Sequence, residues 1–137
     1  KERFVTKKIV STACRIYNGS KEKLILGNIN IHRDWGWAPE YVEAMWLMLQ
    51  QDKAEDFVIA TGETISLKDF VIYTFEFLNL DFNDHVTYDE GLLRPTDIEK
   101  GYADPSKAKR ILNWEAKIKS KKVIELMINC ELNSLYQ

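Results

Sequence analysis

The sequence lacks the glycine clusters with which proteins bind dinucleotides. Its six glycines stand singly at positions 19, 27, 36, 62, 91 and 101, so neither a GxGxxG turn nor a P-loop is present. The GxSxG elbow of serine hydrolases is absent too. We therefore do not expect this chain alone to hold NAD or NADP in the usual way.

Cysteine is scarce, and long apolar runs and a large charge imbalance are absent from the sequence. Cys14 and Cys130 are the only cysteines, without a CxxC pair or a histidine cluster, which excludes a zinc-finger pattern and favours a reducing cytoplasm. The longest apolar stretch, residues 41–49, is far shorter than the roughly 20 residues that span a bilayer. With 19 basic and 21 acidic residues, we expect no bulk attraction to nucleic acid or membranes.

What is present indicates one folded α/β domain over residues 1–137. The composition is 45% hydrophobic and 12% aromatic, which is typical of a globular protein. The first residue is Lys1 rather than Met, and we interpret the chain as part of a larger protein. Periodicity and turn signals predict helices at 6–17, 40–51, 67–78, 107–112 and 122–135, and strands at 23–26, 57–60 and 85–88.

Two of these elements carry specific packing expectations. In the second helix Val42, Met45, Trp46 and Leu49 share one face, and in the last helix Val123, Leu126, Met127 and Cys130 do so; each face is expected to enter the core. The apolar run 57–60 is typical of a strand that is buried on both faces, as in a parallel sheet.

Three patterns with possible chemistry favour ordinary structural roles. Tyr17 and Lys21 have the YxxxK spacing of short-chain dehydrogenases, but Gly19 between them ends the helix, so the two would not share a face. His32 and His85 have no carboxylate or cysteine at ligand spacing. Of the tryptophans, three are interpreted as core or interface anchors: Trp35, Trp46 and Trp114.

Two arginines stand out as a possible clamp for a nucleotide diphosphate. Arg33 lies in the segment RDWG and Arg94 in RPTD. The guanidinium group suits this role because it presents parallel donors to phosphate oxygens. Alternatives remain open: Arg33 could pair with Asp34 or Glu63, and Arg94 could bind backbone carbonyls of its own loop.

A set of segments, in the same order, closely resembles the C-terminal portion of the GDP-mannose 4,6-dehydratase family. These segments are RFVTKKI (3–9), LGN (26–28), RDWG (33–36), YVEAMWLMLQQ (41–51), DFVIATGET (56–64), RPTD (94–97) and DPSKA (104–108). The resemblance implies an extended short-chain dehydrogenase fold, in which this chain is the substrate-binding portion. One strand and one helix would complete the Rossmann sheet of an N-terminal domain that is absent here.

The resemblance also implies an activity for the intact enzyme. In that family GDP-mannose is oxidised at C4, water is lost across C5 and C6, and the hydride returns to C6, which gives GDP-4-keto-6-deoxymannose on the route to GDP-fucose. The enzyme is a lyase that recycles NADP and acts in the cytoplasm, expected as a homo-oligomer. Its catalytic Thr, Glu, Tyr and Lys match positions upstream of Lys1, so we expect no catalytic residue, no cofactor and no activity in this chain alone.

The substrate-binding residues that the resemblance carries over are Val5 and Lys8 along the nucleotide, Leu26, Gly27 and Asn28 beside the base and ribose, and Arg33 and Arg94 on the diphosphate. Asp97 stands where the family usually has Glu facing the ribose, so its shorter side chain has less reach. Lys7 replaces the usual Arg, and the position of Trp37, often His, has no assigned role.

Two other functions remain open at this point. The chain could be a stand-alone or degenerate module that binds GDP-sugars, and could assemble with an intact homologous subunit. It could also belong to a related nucleotide-sugar epimerase or reductase. Binding of GDP by the purified chain would favour the module, whereas turnover of another sugar by the complete protein would favour the epimerase.

Overall fold

The computed structural model describes residues 4–93 and 98–135. Within them the chain forms helices and short strands in alternation, as an α/β protein. The helices are α1 (Val5–Tyr17), α2 (Ala38–Leu49), α3 (Leu67–Phe77), α4 (Phe82–His85), α5 (Ser106–Leu112) and α6 (Ser120–Leu135), and the strands are β1 (Leu24–Leu26), β2 (His32–Asp34), β3 (Thr64–Ser66) and β4 (Val86–Tyr88).

The main core lies where α1, α3 and α6 pack together. Ile9, Phe70, Phe75 and Ile128 are completely buried there, and Trp35 adds an edge-on ring contact to Phe70 at 5.1 Å between centroids. The helices predicted at 6–17 and 67–78 are confirmed as α1 and α3. This three-helix layer is the support on which the short strands and their loops are held.

Local signals in the sequence explain where the core helices begin and end. Ser66 and Asp69 form a capping box: the Ser66 hydroxyl accepts from the Asp69 backbone N–H at 3.0 Å, and the Asp69 carboxylate accepts from the Ser66 N–H. Such caps satisfy amide groups that the first helical turn leaves unpaired. After α1, Gly19 adopts φ +96°, a left-handed conformation that glycine takes at little cost. Lys21 therefore lies beyond the helix that contains Tyr17, as predicted.

The strands form two separate pairs. β1 and β4 are parallel, with Leu24 opposite Val86 and Leu26 opposite Tyr88, and the predicted strand at 85–88 is thereby confirmed. β2 and β3 are antiparallel, with Arg33 opposite Ile65. β2 is not among the predicted strands, because a polar three-residue strand has too few side chains to show alternation.

The apolar face predicted for α2 is wrong for this core. Val42, Trp46 and Leu49 are 62%, 59% and 82% exposed. The opposite face, with the fully buried Ala44, instead packs against α5 and Trp114 in a second, smaller cluster. The helix is apolar on both faces, and periodicity alone does not say which face meets this core.

Two further expectations need correction. Residues 57–60 form no strand and pair with no described strand; Val58 is 51% exposed. On α6, Cys130 is exposed and Leu126 only partly buried, whereas Ile124 and Ile128 are buried with Val123. The core face of α6 is therefore rotated relative to the predicted stripe. No helix in the described ranges has the length and apolar character that crossing a membrane requires.

Candidate functional site

A cavity of about 470 Å³ opens where β1 and β4 end. Because carboxyl ends of parallel strands lie at the same edge of a sheet, the residues that follow them meet there. Gly27 and Asn28 after β1, Tyr88 at the end of β4 and Asp89 after it line the cavity, together with Leu93. The structure thus brings two of the predicted base and ribose residues to one concave surface.

Gly27 is needed for the close approach of two backbone segments. A Cβ atom at this position would lie 2.8 Å from the carbonyl oxygen of Leu92, in the 3₁₀ turn Glu90–Leu92. Asn28 shapes the next turn, since its Oδ1 accepts from the backbone N–H of Asn30 at 2.9 Å. The wall of the cavity is therefore set by backbone contacts that the sequence segment LGN makes possible.

The other residues predicted beside the nucleotide present different groups. The Leu26 side chain is only 3% exposed and belongs to the core, and its carbonyl oxygen accepts from the Asp89 N–H. Val5 opens α1 and is 36% exposed. Lys8, one turn later, donates its ammonium group to the carbonyl of Ile25 at 2.6 Å, which ties α1 to β1.

Arg33 is held by backbone carbonyls and not by a carboxylate. Its Nη1 donates to the carbonyl of His32 at 2.8 Å and to that of Ile98 at 2.6 Å. Neither Asp34 nor Glu63, the two partners considered from the sequence, pairs with it within the described ranges. Nε and Nη2, which form the other edge of the guanidinium plane, have no partner among the residues described, so this edge can still make two parallel donor contacts.

Arg94 and Asp97 lie outside the described residues, and their predicted roles remain predictions. The residues that flank them are informative. Leu93 lines the cavity, whereas Ile98 accepts the hydrogen bond from Arg33.

A carboxylate beside Arg33 organises several elements, and the sequence analysis missed its role. Asp34 accepts from the backbone N–H of Thr61 at 3.0 Å and from that of Gly62 at 2.8 Å. Burial, followed by the negative charge of Asp34, raises the pKa of Tyr41 to about 12. The RDWG segment was the available signal, since it places Asp next to Arg.

No group of three side chains that could hold a metal ion occurs among the described residues. The cavity is lined by the carboxylates of Asp89 and Glu90 and by Lys68. Lys7, the other basic residue of the first helical turns, forms an ion pair with Glu131 of α6. The free edge of the Arg33 guanidinium group is the feature described above that suits an anion.

The chain is similar in sequence to a known family and to several of its members. A family model described as GDP-mannose 4,6 dehydratase matches residues 1–127. GDP-mannose 4,6 dehydratase 1 of Arabidopsis thaliana is 45% identical over 96% of this chain, and the human GDP-mannose 4,6 dehydratase is 39% identical over 94%. These matches cover 36% and 39% of the two relatives, so the chain spans well under half of their length.

Solved structures with low sequence identity share the fold. RMD from Pseudomonas aeruginosa, complexed with NADPH, superposes with a TM-score of 0.86 over 98% of this chain and 44% of its own, at 14% identity. A dTDP-glucose 4,6-dehydratase from Bacillus anthracis, in complex with NAD, gives 0.79 over 93% of this chain and 39% of its own, at 16% identity. The chain thus has the fold of the corresponding portion of extended short-chain dehydrogenases.

Proposed function

Because the chain belongs to the GDP-mannose 4,6-dehydratase family, we propose that it is the nucleotide-sugar-binding portion of an enzyme that converts GDP-mannose to GDP-4-keto-6-deoxymannose. The observation that carries the proposal is the state of Arg33. Two carbonyls fix one end of its guanidinium group, while the edge formed by Nε and Nη2 stays available for a diphosphate. The intact enzyme would be a cytoplasmic lyase and a homo-oligomer.

Within this proposal, two surfaces bind different parts of the nucleotide. Gly27 and Asn28 border the base and ribose at the cavity, and Arg33 binds the diphosphate with Arg94. Val5 and Lys8 lie along the nucleotide on α1, with Leu26 contributing backbone only, and Asp97 faces the ribose. The pattern fits substrate binding, since a bidentate guanidinium group discriminates phosphate geometry as a lysine does not.

NADP would be held elsewhere in the intact enzyme, because the residues of this chain do not fit a dinucleotide. The two glycines with positive φ are Gly19, after the end of α1, and Gly62, before β3. Neither opens a helix whose amide groups could receive a pyrophosphate. The cofactor and the catalytic Thr, Glu, Tyr and Lys would lie in an N-terminal Rossmann domain, and this chain alone would be inactive.

The exposed face of α2 supports a missing domain. Four large apolar side chains on this face are each more than half exposed: Val42, Met45, Trp46 and Leu49. Large apolar patches on a protein surface usually mark an interface. Residues 57–60 lie nearby in the sequence and form no ladder. We propose that this strand-like segment completes the Rossmann sheet and that α2 covers one side of it.

Calorimetric titration of the purified chain with GDP-mannose and, separately, with NADP tests the proposal. We expect GDP-mannose to bind and NADP not to bind. Arg33→Ala should weaken GDP-mannose binding by about tenfold or more, the usual effect of losing one or two charge-assisted hydrogen bonds. Lys109→Ala, which removes a cation that pairs with Glu115 on the surface, is the matched control and should leave affinity unchanged.

The outcomes separate the candidate functions. Tight binding of GDP-mannose that Arg33→Ala leaves unchanged would contradict the assigned diphosphate site. Binding of NADP by this chain would contradict the division between the two halves. If the complete protein turned over a different nucleotide sugar in preference to GDP-mannose, the epimerase or reductase alternative would replace the dehydratase.

A further inference from the structure

Asp34 joins two parts of the chain through one carboxylate. Oδ1 accepts from the Thr61 N–H and Oδ2 from the Gly62 N–H, so both oxygens are committed to the turn before β3. A carboxylate that accepts several donors in a partly buried place holds its neighbours firmly, because charge-assisted hydrogen bonds are about twice as strong as neutral ones.

The residue next to this carboxylate is Arg33, and consecutive side chains of a strand point to opposite faces. On one face Asp34 is attached to the 61–62 turn. On the other, Arg33 reaches the carbonyl of Ile98. The amino end of β2 is held separately, by the His32 N–H bonded to the carbonyl of Glu99 at 2.7 Å. Asp34 therefore fixes the carboxyl end of this three-residue strand.

We propose that Asp34 is a positioning residue for the nucleotide site: it fixes the end of β2 so that the Nε and Nη2 edge of Arg33 is presented to the diphosphate. The proposal rests on the function proposed above, in which Arg33 binds the diphosphate. Gly36 follows Asp34 by two residues and lets the Tyr41 side chain of α2 approach the backbone closely, because a Cβ atom at position 36 would lie 2.2 Å from the Tyr41 hydroxyl oxygen.

The negative charge of Asp34 and its proposed positioning role predict opposite effects of Asp34→Asn on diphosphate binding, which makes the proposal testable. A carboxylate close to a diphosphate repels it, so Asp34→Asn would strengthen binding if only the local potential mattered. If positioning matters, the Asn amide cannot replace both hydrogen bonds, because its oxygen accepts from one of the Thr61 and Gly62 N–H groups while its NH2 group faces the other as a second donor, and binding weakens. The sign of the change in affinity thus distinguishes the two.

Glu40 provides a matched control within the same molecule. Its carboxylate also accepts from two backbone N–H groups, those of Lys117 at 3.0 Å and Ile118 at 3.2 Å. Both partners lie between α5 and α6, away from β2 in the sequence, and Glu40 is not part of the proposed nucleotide site. Glu40→Gln removes a comparable structural contact, so it reports the effect of lower stability alone.

The experiment is titration of the purified chain and its variants with GDP, together with NMR of the Arg33 guanidinium group. We expect Asp34→Asn to weaken GDP binding by about tenfold, whereas Glu40→Gln stays within about twofold of the parent chain. In the parent chain the Arg33 Nη signals should show slow rotation, as expected for a group bonded to two carbonyls, and this should be lost in Asp34→Asn only.

Each outcome decides a specific claim. Equal or tighter GDP binding by Asp34→Asn, in a chain where Arg33→Ala weakens binding, would overturn the positioning role and leave the proposed function intact. If Arg33→Ala has no effect on GDP binding, the proposed function fails at this residue. The NMR comparison then still decides the positioning role, because unchanged slow rotation of Arg33 in Asp34→Asn would overturn it without any ligand.

Discussion

At the scale of single residues, the wall of the cavity depends on a close backbone contact at Gly27 that no larger side chain fits. Gly27→Ala would place a Cβ atom 2.8 Å from the Leu92 carbonyl oxygen, a contact with backbone that cannot rotate away. We expect a loss of about 1–3 kcal/mol in the free energy of unfolding, the usual cost of overpacking, measured by urea denaturation.

Gly101→Ala is the control for this prediction. A Cβ atom at Gly101 meets nothing within 4 Å and no positive φ is involved, so the change should stay within about 0.5 kcal/mol. Equal stability of the two variants would show that the turn at Leu92 yields easily, and the cavity wall would then not depend on Gly27.

The two cysteines should differ sharply in reactivity. Burial, with a smaller contribution from the charge of Glu131, raises the pKa of Cys14 to about 11, and thiolate is the reactive form. Cys130 is exposed on α6. Iodoacetamide at pH 8 should therefore alkylate Cys130 and spare Cys14 until the chain is unfolded, as measured by peptide mass spectrometry.

The same raised pKa gives a pH dependence with a definite sign. In the unfolded chain the Cys14 thiol ionises near its ordinary pKa of 9.0, before the folded thiol does. The stability that Cys14 contributes is therefore constant below about pH 9 and falls as the pH rises above it. Alkylation of Cys14 in the native chain at the rate of Cys130 would contradict its burial.

At the scale of elements, the capping box of α3 gives the next prediction. Ser66→Ala removes the hydroxyl that accepts from Asp69 N–H, so we expect destabilisation of about 1 kcal/mol in denaturant titrations. Ser134→Ala, whose hydroxyl donates to a carbonyl at the exposed end of α6, should cost less than about 0.5 kcal/mol. Similar losses in both variants would mean that the cap does not determine the start of α3.

The elements also show what sequence patterns can and cannot predict. α1 and α3 were predicted with their core faces because each is apolar on one side only and has a clear cap or glycine stop. α2 and residues 57–60 were assigned from the same kind of pattern, but their apolar residues have no partner here to bury them. Periodicity identifies residues that share a face, whereas the choice of core depends on tertiary partners.

Part of the candidate site was predicted from the sequence, whereas the role of Asp34 was not. The segments LGN and RDWG led to Gly27, Asn28 and Arg33 through resemblance, and the structure places the first two at one cavity. The role of Asp34 was not predicted, because it accepts from backbone groups of residues 61 and 62 that are distant in the sequence. Contacts of this kind depend on the path of the backbone, which spacing alone does not determine.

At the scale of the whole molecule, the exposed face of α2 determines how the chain should behave by itself. Trp46 and Leu49 are 59% and 82% exposed, and burying such side chains is worth about 1.5–3 kcal/mol each. We therefore expect the isolated chain to self-associate through this face, and Trp46→Gln combined with Leu49→Gln to shift it toward monomer in sedimentation velocity. Phe77→Gln combined with Leu135→Gln, at positions 45% and 46% exposed elsewhere, should leave association unchanged. A monodisperse, stable monomer of the parent chain would contradict this expectation, since it would mean that the face is tolerated in water without the domain that we propose to cover it.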